Sequence, residues 1–349
     1  MILECSYLNI LNYLGNCRTI GVSGHIRPDG DCVGSCLGMA LFLKKCLPEA
    51  RVDVFLGDFA ADLHKNMFGT EMIREDYETD VEHYDAFFCL DCEVSRLGDA
   101  GPYFRNAGLK VNIDHHVSNV CGCGDLNYIV PEASSACELV YDVITGNAEF
   151  TGYAEPAPCG SVPAENGMPD AQIAQDLYIG MVTDTGVFMY SNTSRKTMEI
   201  AGRLIDHGFD YPAIIREVFY EKTYTQQQIL GRALLESIRI LDGRCLFSVL
   251  GRKTMMFYQA TSADLEGVAA QLLLTEGIDC AMLLCELKPM SYKISLRSNG
   301  AVDVAKVAQQ FGGGGHVRAA GCTVNAQWRD IVNQLTKEIE KQLETSALS

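Results

Sequence analysis

Nothing in the 349 residues approaches the length of apolar run that spans a bilayer. The opening residues, "MILECSYLNILNYLGN", lack the basic stretch of a secretory signal and read instead as an amphipathic helix. The expected location is therefore the cytoplasm. Internal repeats and low-complexity tracts are also missing. Positive charge is scarce, with 28 Lys and Arg against 45 Asp and Glu, a net charge of -17. The deficit is uneven: residues 1–220 hold 14 basic against 32 acidic side chains, and the remainder 14 against 13. An acidic part followed by a near-neutral one suggests two domains with different tasks. It argues against tight binding to long nucleic acid, which needs many cation–phosphate contacts. A short anionic ligand held by a few cations and metal ions fits better.

Cysteine is not scarce, but its fifteen copies are scattered through apolar segments of a large chain, where they read as small buried hydrophobes. Cys89 and Cys92 form a C-x2-C pair, with Cys121 and Cys123 further on, which raises the question of a zinc site. "AFFCLDC" reads as a strand, and strand alternation would send Cys89 and Cys92 to opposite faces, so a structural zinc is not expected.

In the first half, "TIGVSG", "RVDVFLG", "DAFFCLD" and "LKVNID" read as strands, and "DCVGSCLGMALFLKKCL" and "SSACELVYDVIT" as helices. This alternation predicts an α/β fold, a parallel sheet with helices on both faces. A Pro/Gly-rich stretch around 152–170 reads as a surface loop, followed by a helical pattern that runs into Asp184. Residues 194–241 look helical, and 221–241 are polar enough to be a helical linker. Beyond them, "CLFSVLG", "CAMLLCEL" and "YKISLRS" read as strands, "DLEGVAAQLLL" as a helix, and the chain closes with an amphipathic helix from about Trp328. The expected domains are 1–220, a linker 221–241, and a smaller α/β domain 242–349.

Ligands in open parallel sheets sit beyond the carboxyl ends of the strands. "HIRPDGD", "DCE" and "DHH" each follow an apolar strand candidate, so they should meet at that rim. They bring His25, Asp29, Asp31, Asp91, Asp114, His115 and His116, with Asp184 arriving from a helix end. Taken alone, each piece has a plainer reading: Asp29 and Asp31 serve equally well as turn formers or helix caps, "DHH" as a surface cluster and "TDTG" as a helix stop. Their topological equivalence favours a shared centre, and the ligand number suits two ions. Imidazole mixed with carboxylates fits manganese better than calcium or thiolate-bound zinc. Two divalent ions would cancel the charges of Asp29, Asp31, Asp91 and Asp184, and paired ions of this kind are a phosphoester hydrolase design.

A second distinctive segment is "FGGGGHVRAAG", residues 311–321. Consecutive glycines allow backbone N–H groups close to an anion, although no Lys-Ser/Thr follows as in a Walker loop; the plain alternative is a turn before a strand. On "YKISLRS", Arg297 offers a fork for a phosphate, whereas Lys293 reads first as a solvated strand residue.

"HIRPDGD", "LDCE", "IDHH" and "VTDTG", followed by "SLRS" and "GGGGHVRAAG", resemble the motifs of the DHH phosphoesterases and their DHHA1 domain, over about residues 21–324. The layout, without sensor or membrane segments, is most similar to the bacterial nanoRNases. The resemblance implies hydrolysis of very short oligoribonucleotides to mononucleotides and of 3'-phosphoadenosine 5'-phosphate to AMP by metal-hydroxide attack on phosphorus. The alternative activity is on cyclic dinucleotides or their linear products. It further implies one Mn2+ on His25, Asp29 and Asp91, and another on Asp31, Asp91, His115 and Asp184. His116 would contact the phosphate or assist the leaving oxygen, with Asp114 orienting the cluster. Arg297, Ser298, Gly312, Gly313, Gly314, Gly315 and His316 would hold the far end of the substrate. Short RNA or a nucleotide is the expected partner, with neither long duplex nor membrane, and an apolar helix of the first domain offers a homodimer surface. The insert around 152–170 is long for the family.

Overall fold

The computed structural model describes residues 6–7, 10–57, 59, 61–152 and 169–347. The chain divides into two compact units, residues 1–221 and 222–349.

Seven strands build the sheet of the first unit: β1 (Ser6–Tyr7), β2 (Thr19–Ser23), β3 (Arg51–Phe55), β4 (Ala86–Leu90), β5 (Leu109–Asp114), β6 (Leu126–Ile129) and β7 (Glu149–Gly152). Their order is β1-β7-β6-β5-β4-β2-β3. The five strands from β3 to β6 are mutually parallel, and β7 and β1 add an antiparallel edge. Parallel strands covered on both faces read as unbroken apolar runs, and every residue of β4 is indeed buried. The larger core lies under the helices Gly30–Cys46, Ala136–Thr145 and Ala171–Asp184. On the other face, Phe55, Tyr84, Phe87, Cys89, Cys92 and Phe104 form a second cluster beneath the helix Gly101–Asn106. After β3 the chain returns to the opposite side of β2 to form β4. The carboxyl ends of β2 and β4 therefore flank the point where strand order reverses, the position at which such sheets bind ligands.

Close helix packing sets the site's back wall. A Cβ on Gly34 would sit 2.5 Å from the Asp176 carbonyl oxygen, and one on Gly180 would collide with the Cys137 sulfur and come within 3.1 Å of Asp31. These glycines let the helices Gly30–Cys46 and Ala171–Asp184 touch backbone to backbone, bringing Asp31 and Asp184 together. Gly180→Ala gains about 1 kcal/mol of helix propensity but overpacks this contact at a cost of about 1–3 kcal/mol. Net loss of stability, read as a lowered urea midpoint with unchanged slope, is the expected result.

The second unit carries a mixed sheet of order β12-β13-β11-β10-β9-β8. Its strands are β8 (Ile238–Ile240), β9 (Cys245–Leu250), β10 (Cys280–Lys288), β11 (Ser291–Ser298), β12 (Gly314–His316) and β13 (Ala319–Asn325). One face packs on the helices Val304–Gln309 and Trp328–Ala347.

Two local readings change. Ser6–Tyr7 is a strand paired with β7, and the only helix of that N-terminal segment among the described residues is the single turn Leu11–Leu14. The polar connector contributes the helix Tyr224–Leu235 and then β8, which pairs with β9. The Pro/Gly-rich insert lies, for residues 153–168, outside the described residues.

Candidate metal centre

Three strand ends and two helix ends converge on Asp91. This residue follows β4 with φ of 57°, a left-handed conformation unfavourable for a non-glycine residue. Its side chain is 3% exposed. Oδ2 lies 3.4 Å from His25 Nε2, and Oδ1 lies 3.3 Å from His115 Nε2. Oδ1 is buried and makes no well-formed hydrogen bond among the described residues, a costly state unless a cation, whether a metal ion or the charged His115 ring, completes it.

Both histidines are set to present Nε2. His25 Nδ1 donates to the Ile26 carbonyl at 3.0 Å and His115 Nδ1 to the Ala133 carbonyl at 3.3 Å, the arrangement that fixes the tautomer of a metal-ligating imidazole. His115 Nε2 is also 3.7 Å from Asp31 Oδ2 and 3.8 Å from Asp184 Oδ2, and His25 Nε2 is 3.8 Å from Asp29 Oδ1. Donor atoms each about 2.1 Å from a shared ion lie roughly 3.0–3.5 Å apart; the observed gaps match or slightly exceed this. Asp31, His115 and Asp184 form one potential ligand group; His25 and Asp91 form another with the Cys32 thiol beside them.

Asp29 also has the plainer role: its Oδ1 caps the helix Gly30–Cys46, accepting from the N–H groups of Asp31 and Cys32 at 3.1 Å each. Asp31 is held from an unanticipated direction. The backbone N–H groups of Ala136 and Cys137, at the start of the helix Ala136–Thr145, donate to its two oxygens at 2.6 and 2.9 Å. That helix end carries partial positive charge and fixes the carboxylate. Asn192 donates to Asp184 Oδ2 at 3.3 Å and to the Ser134 carbonyl at 2.9 Å. Neither support has a sequence signature: the first depends on distant segments meeting, the second on how the turns after Asp184 fold back onto it.

His116 differs from its neighbour. Its Nδ1 pairs with Asp114 Oδ1 at 2.8 Å, and the side chain is 34% exposed. Asp114 is fully buried and also accepts from Asn119 at 2.7 Å. This carboxylate raises the His116 pKa and leaves Nε2 for another group.

Crowded carboxylates dominate the electrostatics. Burial and the nearby Asp91 and Asp29 push Asp184 up to about 6, with His115 opposing. Burial acts to lower His115, but Asp91, Asp31 and Asp184 outweigh it and hold it up to about 10. His25 is likewise raised by Asp29 and Asp91 against burial. The metal-free centre thus holds protons that a cation must displace. With His115 protonated at pH 7, divalent ions should release about one proton or more, and affinity should climb roughly tenfold or more per pH unit between pH 6.5 and 9. Protonation of Asp184 near pH 6 weakens binding further. Calorimetry of Mn2+ binding in buffers of different ionisation heat measures the release; a buffer-independent heat would contradict it.

Cys89 and Cys92 do not diverge: their sulfurs lie 3.8 Å apart. Strand alternation stops at Leu90, and the left-handed turn at Asp91 swings Cys92 back.

In the second unit, Lys293, Ser295 and Arg297 project from one face of β11 into a cavity of about 260 Å³ that Glu266 and Leu283 also line. Ser298 is not brought there. It points into the opposite face, 3% exposed, and its hydroxyl accepts from the N–H groups of Gly300 and Val302 at 3.0 and 3.2 Å. Gly312 and Gly313 lead into the edge strand β12, which contains Gly314, Gly315 and an exposed His316. Gly312 at φ of 71° and Gly315 at 146° need the left-handed region.

A parallel sheet with clustered imidazoles and carboxylates at its strand-order reversal defines a candidate divalent-metal centre, an arrangement suited to a hydrolase. The family comparison agrees: the DHH family N-terminal domain matches residues 19–181 and the DHHA1 domain residues 244–345. The chain belongs to this DHH/DHHA1 family and is a hydrolytic enzyme. It is 24% identical over 324 residues to the bifunctional oligoribonuclease and PAP phosphatase NrnA of Bacillus subtilis, covering 92% of this chain and 94% of that one. The protein of the same description from Thermus thermophilus is 27% identical over 311 residues, covering 87% and 84%. An exopolyphosphatase-related protein from Bacteroides fragilis has the same fold, with a TM-score of 0.82 at 24% identity over 97% of this chain and 96% of that one.

Proposed function

We propose that this chain is a manganese-dependent cytoplasmic phosphoesterase acting on very short oligoribonucleotides and on 3'-phosphoadenosine 5'-phosphate. The observation that carries the reading is the Asp91 carboxylate, each of whose oxygens faces a different histidine Nε2. His25, Asp29 and Asp91 would hold one ion, and Asp31, Asp91, His115 and Asp184 the other. When bound, such ions neutralise phosphoryl charge and activate water.

The chain's own residues do the rest. The Asp114 carboxylate keeps the Nδ1 proton of His116 in place and favours the charged ring. His116 Nε2 then carries a proton for the leaving oxygen or a hydrogen bond for a phosphate oxygen. Arg297 and Lys293 give the second unit's cavity two cations, enough for a terminal phosphate but not for a long backbone. The acidic first part of the chain repels long nucleic acid. The relatives described as oligoribonuclease and PAP phosphatase support the substrate class.

The test is Mn2+-dependent hydrolysis of RNA dinucleotides, longer oligomers, 3'-phosphoadenosine 5'-phosphate, cyclic dinucleotides and pyrophosphate. Dinucleotides and the bisphosphate should turn over fastest. Preference for longer strands or cyclic dinucleotides would overturn the reading. Arg297→Ala should raise KM for a dinucleotide roughly 10–100-fold, the loss of a charge-assisted pair, whereas unchanged kinetics would remove the second unit's ligand-binding role.

A further inference from the structure

Three thiols meet directly behind Asp91. Cys89 is the penultimate residue of β4, and Cys92 follows the left-handed turn with its sulfur 3.8 Å away. Cys123, from the loop before β6, packs against the same buried cluster that holds Cys89 and Cys92. Cys89 and Cys92 are buried, whereas Cys123 is partly exposed. Contact with Cys89, helped by the Val94 N–H and opposed by burial, lowers the Cys123 pKa, so the accessible thiol is also the readier thiolate.

One side chain joins these thiols to the centre. Asn112 Nδ2 donates to the carbonyls of both Cys89 and Cys92 at 2.9 Å, bracing the turn that carries Asp91. Its Oδ1 accepts from the Cys123 N–H at 3.1 Å and from Asn119 at 3.0 Å, and Asn119 also donates to Asp114. A movement of the Cys123 loop is therefore transmitted to Asp91 and to the carboxylate behind His116.

We propose that Cys89 and Cys123 form a reversible disulfide that unseats Asp91 and switches off the metal centre. The inference rests on the reading of Asp91 as the shared ligand. With hydrogen peroxide as oxidant, the Cys123 thiolate attacks one oxygen and expels hydroxide, becoming a sulfenic acid. The Cys89 thiol attacks that sulfur, the S–S bond forms, and the hydroxyl leaves as water with the thiol proton. Overall, two thiols and one peroxide give one disulfide and two waters. The sulfurs must close to about 2.05 Å, which pulls the end of β4 and the Asp91 turn towards the loop. Disturbing the support of a metal ligand typically costs about 10–100-fold in affinity.

The test treats the metal-free full-length protein with one equivalent of hydrogen peroxide, blocks remaining thiols with N-ethylmaleimide, and maps peptides by mass without reduction. A peptide linking Cys89 to Cys123, or to Cys92 after exchange within the trio, is expected. The Mn2+ dissociation constant of the oxidised protein should rise about 10–100-fold and recover with dithiothreitol. Cys123→Ser should abolish both changes, and Cys121→Ser should leave them intact. Alkylated Cys89 after oxidation, or a linked peptide with unaltered Mn2+ affinity, would overturn the proposal. The mapping needs no substrate, so its failure is separate from failure of the phosphoesterase reading.

Discussion

Asp91→Asn should reduce phosphoester hydrolysis by at least about 10³-fold while leaving the fold intact. The substitution keeps the shape of the side chain but removes the charge that Oδ1 and Oδ2 present to His115 and His25. A neutral amide cannot bridge two cations as a carboxylate does, and it places an NH2 group against one of them. Since ion pairs of this type supply several kcal/mol of transition-state stabilisation, and each 1.36 kcal/mol is tenfold in rate, a loss of three decades is the modest expectation. Mn2+ stoichiometry should fall below two per chain, and no increase in metal concentration should restore wild-type kcat. Full stoichiometry and activity in this variant would remove Asp91 from the centre of the account.

The second large effect is at His116. His116→Ala should lower kcat by about 10²–10⁴-fold, the range for loss of a positioned proton donor, with Mn2+ affinity changed much less because Asp114 claims the ring's Nδ1. Asp114→Asn should have a comparable effect through the ring's tautomer and charge. Asp114 holds the His116 pKa up. In wild type the protonated ring therefore persists to higher pH than an ordinary imidazole, and activity depending on it falls as pH rises through that raised pKa. In Asp114→Asn the fall should begin at lower pH. Steady-state rates across pH at saturating Mn2+ separate the two variants from mere misfolding; parallel loss of metal binding in His116→Ala would make it a ligand instead.

The rim was legible because one rule governs it. "TIGVSG", "DAFFCLD" and "LKVNID" are apolar enough to be buried parallel strands, and parallel strands deliver their carboxyl ends to one edge, so His25, Asp91 and His115 had to meet. The supports of these residues were not legible. Asp31 is gripped by the helix N-terminus at Ala136 and Cys137, and Asp184 by Asn192; the first depends on tertiary approach and the second on an irregular run of turns, and neither leaves a periodicity. Cys89 and Cys92 were misjudged because alternation was extended past the strand's last residue into a left-handed turn. Ser298 and Arg297 are a different case. Adjacent strand residues face opposite sides, so the alternation in "YKISLRS" already separated them. The N-terminal segment failed as a helix because Ser6–Tyr7 finds β-pairing with residues more than a hundred positions away, a long-range partner that local pattern cannot announce.

Anomalous diffraction from a crystal grown with Mn2+ tests the shared-carboxylate centre most directly. Two peaks about 3.5–4 Å apart, one beside His25 and one beside His115 with Asp91 between them, are predicted. A single peak, or two ions that do not share Asp91, would contradict it.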